Sequence, residues 1–269
     1  MSLLLWIILF SIVGGVLSAT AAAVFLLFPD RQRDALLPHF VSFAIGALLG
    51  AAFLALIPHA MKDGAIEFHQ LGLTLLIGLL GFFLMEKLVL WRHCHEHSCE
   101  AHSPHLPEHA PPYTPTEEQR KAAAGSLILI GDGIHNMVDG VLIAAAFMTD
   151  VHLGIITSMA VAAHEIPQEV GDFAVLLHSG FSRSKAFFYN VLASVTTVIG
   201  ALVAYWSLQD ALYVIPYVLA IAASSFIYIA VADLIPGLHK RIEFSETIRQ
   251  ISLIVAGVVV IYLAHATLH

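Results

Sequence analysis

Asp132, His135, Asn136 and Asp139 stand in one apolar stretch of the chain, and His164, Glu165, Gln168, Glu169 and Asp172 stand in the next. Imidazole nitrogens, amide oxygens and carboxylates in this mixture suit divalent transition metals. Residues 122 to 182 contain no lysine or arginine that could neutralise the acids. A carboxylate at membrane depth is costly unless it pairs with a base, takes up a proton or holds a cation. With bases absent locally, a divalent metal leads and protons come second. At roughly 100° per helical residue the first four side chains share an arc of about 100°, and the second set spreads over about 140°. Two such stripes facing each other would make one site. Pro167 removes a backbone donor, which predicts a local opening of its helix with carbonyls free to meet an ion. A solitary polar residue in a membrane helix mostly bonds a neighbouring helix, but two stripes with several acids and no base carry more than that.

The elements that must carry these stripes are membrane helices. The 269 residues are 58% hydrophobic and 12% charged, with a mean hydropathy of +0.83, well outside the soluble globular range. Apolar stretches at 2–28, 36–59, 70–91, 122–148, 152–178, 185–208, 212–236 and 248–268 predict eight spans, each near the roughly 20 residues that cross the hydrocarbon core. The first is expected to be a true span and not a signal peptide, because its apolar run exceeds an h-region and no basic residue precedes it. Lysines and arginines flank the first, third, fifth and seventh loops, and only Lys62 lies beside an even-numbered one. This predicts both termini outside and the third loop in the cytoplasm.

That loop, residues 92–121, is expected to be a flexible His-rich insertion within a single transmembrane domain covering 1–269. Its His93, His95, His97, His102, His105 and His109, with Cys94 and Cys99, could bind zinc-like ions as a sensor or chelator, or serve as a solvated linker. A disulfide is not expected on a reducing cytoplasmic side. The net charge of -8 is dominated by the acidic helices and this loop. No nucleic-acid partner is expected; the partners are divalent metal ions and the lipid bilayer. Ser11, Gly14, Gly15 and Ser18, and Gly72, Gly78 and Gly81, could let helices pack closely within the bundle or across a homodimer.

His135-Asn136-Met137-Val138-Asp139-Gly140 in the fourth helix, followed by His164-Glu165-Ile166-Pro167-Gln168-Glu169-Val170-Gly171-Asp172 in the fifth, resembles the paired signature of the ZIP (Zrt/Irt-like) divalent metal transporters. The resemblance is closest to the branch whose fifth helix reads HExPHExGD. It extends to Ile57-Pro58-His59 in the second helix and Asp233-Leu234-Ile235-Pro236 in the seventh. It implies an all-α bundle of eight transmembrane helices in a three-two-three arrangement, with inverted repeats and the metal site between helices four and five. It further implies that His135, Asn136, Asp139, His164, Glu165 and Gln168, with Glu169 beside them, ligate one or two metals. His59, Asp132, Asp172, His178, Asp233, His93, His95 and His97 would be pathway or regulatory positions.

Two departures stand out. Gln168 replaces the usual histidine with a harder ligand, which would loosen zinc selectivity toward manganese or iron. Ala51 and Ala55 stand where the branch commonly has polar residues, and helix six has no carboxylate. The implied function is transport of zinc, and also iron, manganese or cadmium, into the cytoplasm by alternating access. A bacterial inner membrane is the expected location, or an organelle membrane in a eukaryote. The alternatives are an intramembrane zinc metallohydrolase, which fails where Gln168 replaces the second histidine of HExxH, and a metal-gated channel or receptor.

Overall fold

The computed structural model describes residues 1–96, 117–239 and 243–268. Their long helices are α1 (Leu3–Phe25), α2 (Asp30–Ala60), α3 (Phe68–Glu96), α4 (Glu117–Thr149), α5 (Val151–His178), α6 (Arg183–Leu208), α7 (Leu212–Leu238) and α8 (Phe244–Leu268). Seven of them contain a stretch long and apolar enough to cross a membrane. The exception is α5, whose hydropathy is lowered by the polar stripe it carries. α3 continues to Glu96 and α4 begins at Glu117, so both helices extend into the polar segment 92–121.

Local chemistry sets the irregularities. Pro58 and Pro236 cannot donate to the carbonyl four residues earlier, and just before each the helix widens into a π-turn, Ala51–Leu56 in α2 and Ile229–Leu234 in α7. Both π-turns run into the same tripeptide, Leu56-Ile57-Pro58 and Leu234-Ile235-Pro236. A third π-turn, Val13–Leu17, contains the Gly14-Gly15 pair of α1. Pro167 behaves otherwise than expected: α5 runs through it without interruption, so no opened turn forms at the site.

The helices pack in pairs that hold the centre. α4 lies along α6, α2 along α8, α3 along α7, and α1 against α5. Glycines permit the closest crossings. A methyl at Gly140 or Gly200 would run into the facing backbone of the α4–α6 pair, and one at Gly46 or Gly257 into that of the α2–α8 pair. Gly14, Gly15 and Gly78 likewise meet neighbours within the chain, whereas Gly72 and Gly81 have nothing within 4 Å among the described residues. Exchanging helices one to three with six to eight would map α2–α8 onto α7–α3 and α4–α6 onto α5–α1. The one-residue connection between α4 and α5 is fixed by Asp150, whose Oδ1 accepts from the His152 and Leu153 amides at 2.8 and 3.2 Å. That cap sets how the two polar stripes face each other. Leu73, Leu76, Ile77 and Leu80 of α3 and Ile251, Val255 and Tyr262 of α8 point outward, an apolar exterior suited to lipid.

Candidate metal centre

Within the α4–α5 seam, His135, Asp139, His164 and Glu165 each offer a ligand atom, and these atoms lie within 4.8 Å of one another. His164 Nε2 stands 3.2 Å from Asp139 Oδ2 and 3.6 Å from Glu165 Oε1. His135 Nε2 stands 3.4 Å from Glu165 Oε1, 3.7 Å from Asp139 Oδ2 and 3.3 Å from His164 Nε2. His164, Glu165 and Asp139 are fully buried and His135 is partly so. Neither oxygen of Asp139 nor of Glu165 has a hydrogen-bond partner among the described residues.

The chemistry of one ring makes this arrangement informative. His164 Nδ1 lies 3.1 Å from the Ala160 carbonyl, so a proton on Nδ1 satisfies that contact and leaves the Nε2 lone pair facing the carboxylates. A lone pair at 3.2 Å from a carboxylate oxygen needs something positive between them. A divalent ion or a proton fills that requirement. Phe226 of α7 closes the other side of the imidazole, ring centroids 6.2 Å apart.

A second group, Asp132, Glu165 and Glu169, also brings ligand oxygens within 4.8 Å of one another. Glu165 belongs to both groups and joins them. Helix α6 offers no carboxylate but supplies the hydrogen bonds behind them. Ser194 donates to Glu169 Oε1 at 2.6 Å, Asn190 donates to the Glu169 carbonyl at 3.3 Å, and Thr197 donates to Asn136 Oδ1 at 2.7 Å. Asn136 in turn donates to Asp132 Oδ1 at 2.9 Å. Asn136 thus faces Asp132 and Thr197.

A cavity of about 420 Å³ opens beside the centre. His135, Asp132, Gln168 and Asp172 line it from α4 and α5, and Glu86 of α3 with Tyr228 and Asp233 of α7 line it as well. Asp172 and Asp233, expected on the pathway, are therefore both on this cavity. His178 is not; its Nδ1 bonds the Ala174 carbonyl at 2.8 Å near the end of α5. His59 is also apart from the centre, its Nδ1 at 2.9 Å from the Ala55 carbonyl and its ring 5.5 Å from that of His265. Ala51 and Ala55 are fully buried in the apolar core. The side chains of His93 and His95, and the whole of His97, lie outside the described residues.

Sequence reasoning missed Asn190, Ser194 and Thr197, although their spacing on one face of α6 was a readable signal. It also missed Glu86 and Tyr228, which meet across 142 positions of sequence and which no local pattern connects.

A family model described as ZIP Zinc transporter matches residues 3–265. The chain is 30% identical to Zinc transporter ZIP13 of Pongo abelii over 244 residues, 84% of this chain and 66% of that protein. It is 30% identical to Zinc transporter zipt-7.2 of Caenorhabditis elegans over 303 residues, 96% of this chain and 65% of that protein. It is 35% identical to Zinc transporter ZIP10 of Homo sapiens over 182 residues, 67% of this chain and 21% of that protein. The chain therefore spans just under two thirds of the first two relatives and about a fifth of the third. These relatives are animal proteins and lend no support to a bacterial inner membrane.

Proposed function

The chain belongs to the ZIP zinc transporter family and is an integral membrane protein, and on that premise we propose that it carries divalent transition metal ions, zinc first, through the α4–α5 seam. The observation that carries this reading is the buried group of His135, Asp139, His164 and Glu165, whose four carboxylate oxygens have no donor among the described residues. Two imidazoles and two carboxylates bind zinc and its neighbours without thiolate, which keeps the ion releasable. The second oxygen group around Asp132, Glu165 and Glu169 supports a second ion position that shares Glu165 with the first.

Iron and manganese are further substrates in this reading, because Gln168 would contribute a harder amide oxygen where an imidazole would favour zinc, and cadmium is a further one through the two imidazoles. Movement follows alternating access. The matched π-turns before Leu-Ile-Pro in α2 and α7 support two related halves that move about the α4–α5 pair. Both termini are placed outside by the basic loops, so the cavity lined by Asp172 and Asp233 faces the cytoplasm and serves as the exit. A hydrolase would use one open metal with an activated water, and ligand groups joined along two helices of a transporter family do not favour that chemistry.

Metal uptake into liposomes carrying the purified chain tests the proposal. Saturable influx that disappears in the Asp139→Ala/Glu165→Ala variant supports it. Metal binding without flux contradicts it.

A further inference from the structure

The cavity beside the centre contains one carboxylate with no task so far. Glu86 lies on α3, accepts a hydrogen bond from the Tyr228 hydroxyl of α7, and shares the cavity with Asp132, Asp172 and Asp233. These acids come from α3, α4, α5 and α7, so no single helix accounts for their meeting. Asp172 interacts electrostatically with Asp132 and with Asp233, and Asp233 with Glu86. The acids line one space that reaches from the centre to α3. No lysine or arginine lines the cavity among the described residues.

The inner end of this space is itself unsatisfied. Asp132 is 5% exposed, and its Oδ2 has no hydrogen-bond partner among the described residues while Asn136 holds its Oδ1. Asp132 also belongs to the second ligand group of the centre. A buried, unpartnered oxygen that joins a ligand group to an acid-lined cavity calls for a cation on that route. The donors also change along it, from mixed nitrogen and oxygen at His135 and His164 to oxygen alone. Oxygen ligands hold a zinc-like ion less firmly than imidazole, and a carrier needs such a downward step in order to release.

Resting on the transport reading of the centre, we propose that Glu86 is the carboxylate that receives the metal as it leaves past Asp132 and Asp172, with the Tyr228 hydroxyl giving up Glu86 when the ion arrives. Phe82 holds the Tyr228 ring at 6.5 Å between centroids, so the phenol is positioned while its hydroxyl can turn. The ties between α3 and α7 at Gln70–Tyr217 and Leu75–Ser224 remain when the Glu86 contact opens.

Two substitutions separate ion handling from a structural tie. Glu86→Gln removes the charge but keeps an oxygen that accepts from Tyr228, whereas Tyr228→Phe removes the donor and keeps the charge. In liposomes carrying the full chain, Glu86→Gln is expected to lower maximal zinc and manganese uptake by about tenfold, with zinc binding to the purified protein unchanged. Tyr228→Phe is expected to keep most of the uptake, and Glu86→Asp to recover much of it. Uptake by Glu86→Gln within about twofold of the unmodified chain overturns the proposal. Loss of uptake in Tyr228→Phe, or equal loss in Glu86→Asp and Glu86→Gln, marks a packing role and also overturns it. Persistent uptake in Asp139→Ala/Glu165→Ala would instead reject the transport centre, a result distinct from normal uptake by Glu86→Gln alone.

Discussion

His164 Nε2 lies 3.2 Å from Asp139 Oδ2 across the α4–α5 seam, while Nδ1 of the same ring lies 3.1 Å from the Ala160 carbonyl. One nitrogen is thus committed to its own helix and the other is presented to a carboxylate with no donor of its own among the described residues. Ligand pairs of this kind bind a metal by giving up protons.

Metal and protons should therefore compete. A metal needs unprotonated Nε2 on His135 and His164 and ionised Asp139 and Glu165, so lowering the pH occupies the ligands with protons and weakens binding. The expected result is a KM for zinc uptake that rises steadily as pH falls from about 7.5 to about 5.5, with a smaller change in maximal rate. A KM that stays flat over this interval contradicts the ligand set.

Ser194 supports the second ligand group by donating to Glu169 Oε1 at 2.6 Å. Removing such a supporting contact costs roughly 10- to 100-fold in metal affinity in comparable sites. Ser194→Ala should weaken zinc binding by about the lower figure, measured by titration calorimetry on the purified protein, while thermal stability changes little. Unchanged affinity would show that Glu169 needs no such support.

Gln168 lines the cavity next to His135 and Asp172. Gln168→His adds an imidazole beside the centre. It should tighten zinc relative to manganese in competition uptake, by about tenfold in the ratio, and slow zinc release. An unchanged ratio would mean that this position does not meet the ion.

The α4–α6 crossing admits no side chain at Gly140 or Gly200, where backbone faces backbone. Gly140→Ala should cost about 1–3 kcal/mol by overpacking, more than the roughly 1 kcal/mol that alanine gains in helix propensity. Gly72→Ala and Gly81→Ala, with open space around them, should leave the melting temperature in detergent unchanged or slightly raised. Equal behaviour of all these variants contradicts the crossing.

The α4 and α5 stripes were legible because each group of ligands sits on one helix, where a period of 3.6 residues converts spacing into direction. Asn136 shows the limit of that logic. It lies in the stripe, and the stripe does not reveal that its Oδ1 accepts from Thr197 and its amide donates to Asp132, partners from a helix packed by glycine contact and from one turn back. Pro167 shows another. A missing donor permits a break without forcing one, and α5 continues through it, whereas the prolines that follow Leu56-Ile57 and Leu234-Ile235 come directly after π-turns. Glu86 and Tyr228 were illegible because only the α3–α7 packing brings them together.

The most direct test of the account is zinc uptake by liposomes carrying the purified chain, compared with the Asp139→Ala/Glu165→Ala variant at matched protein density. The account predicts saturable uptake in the unmodified chain and none above empty liposomes in the variant. Equal uptake by the two, or zinc binding with no flux in the unmodified chain, would contradict it.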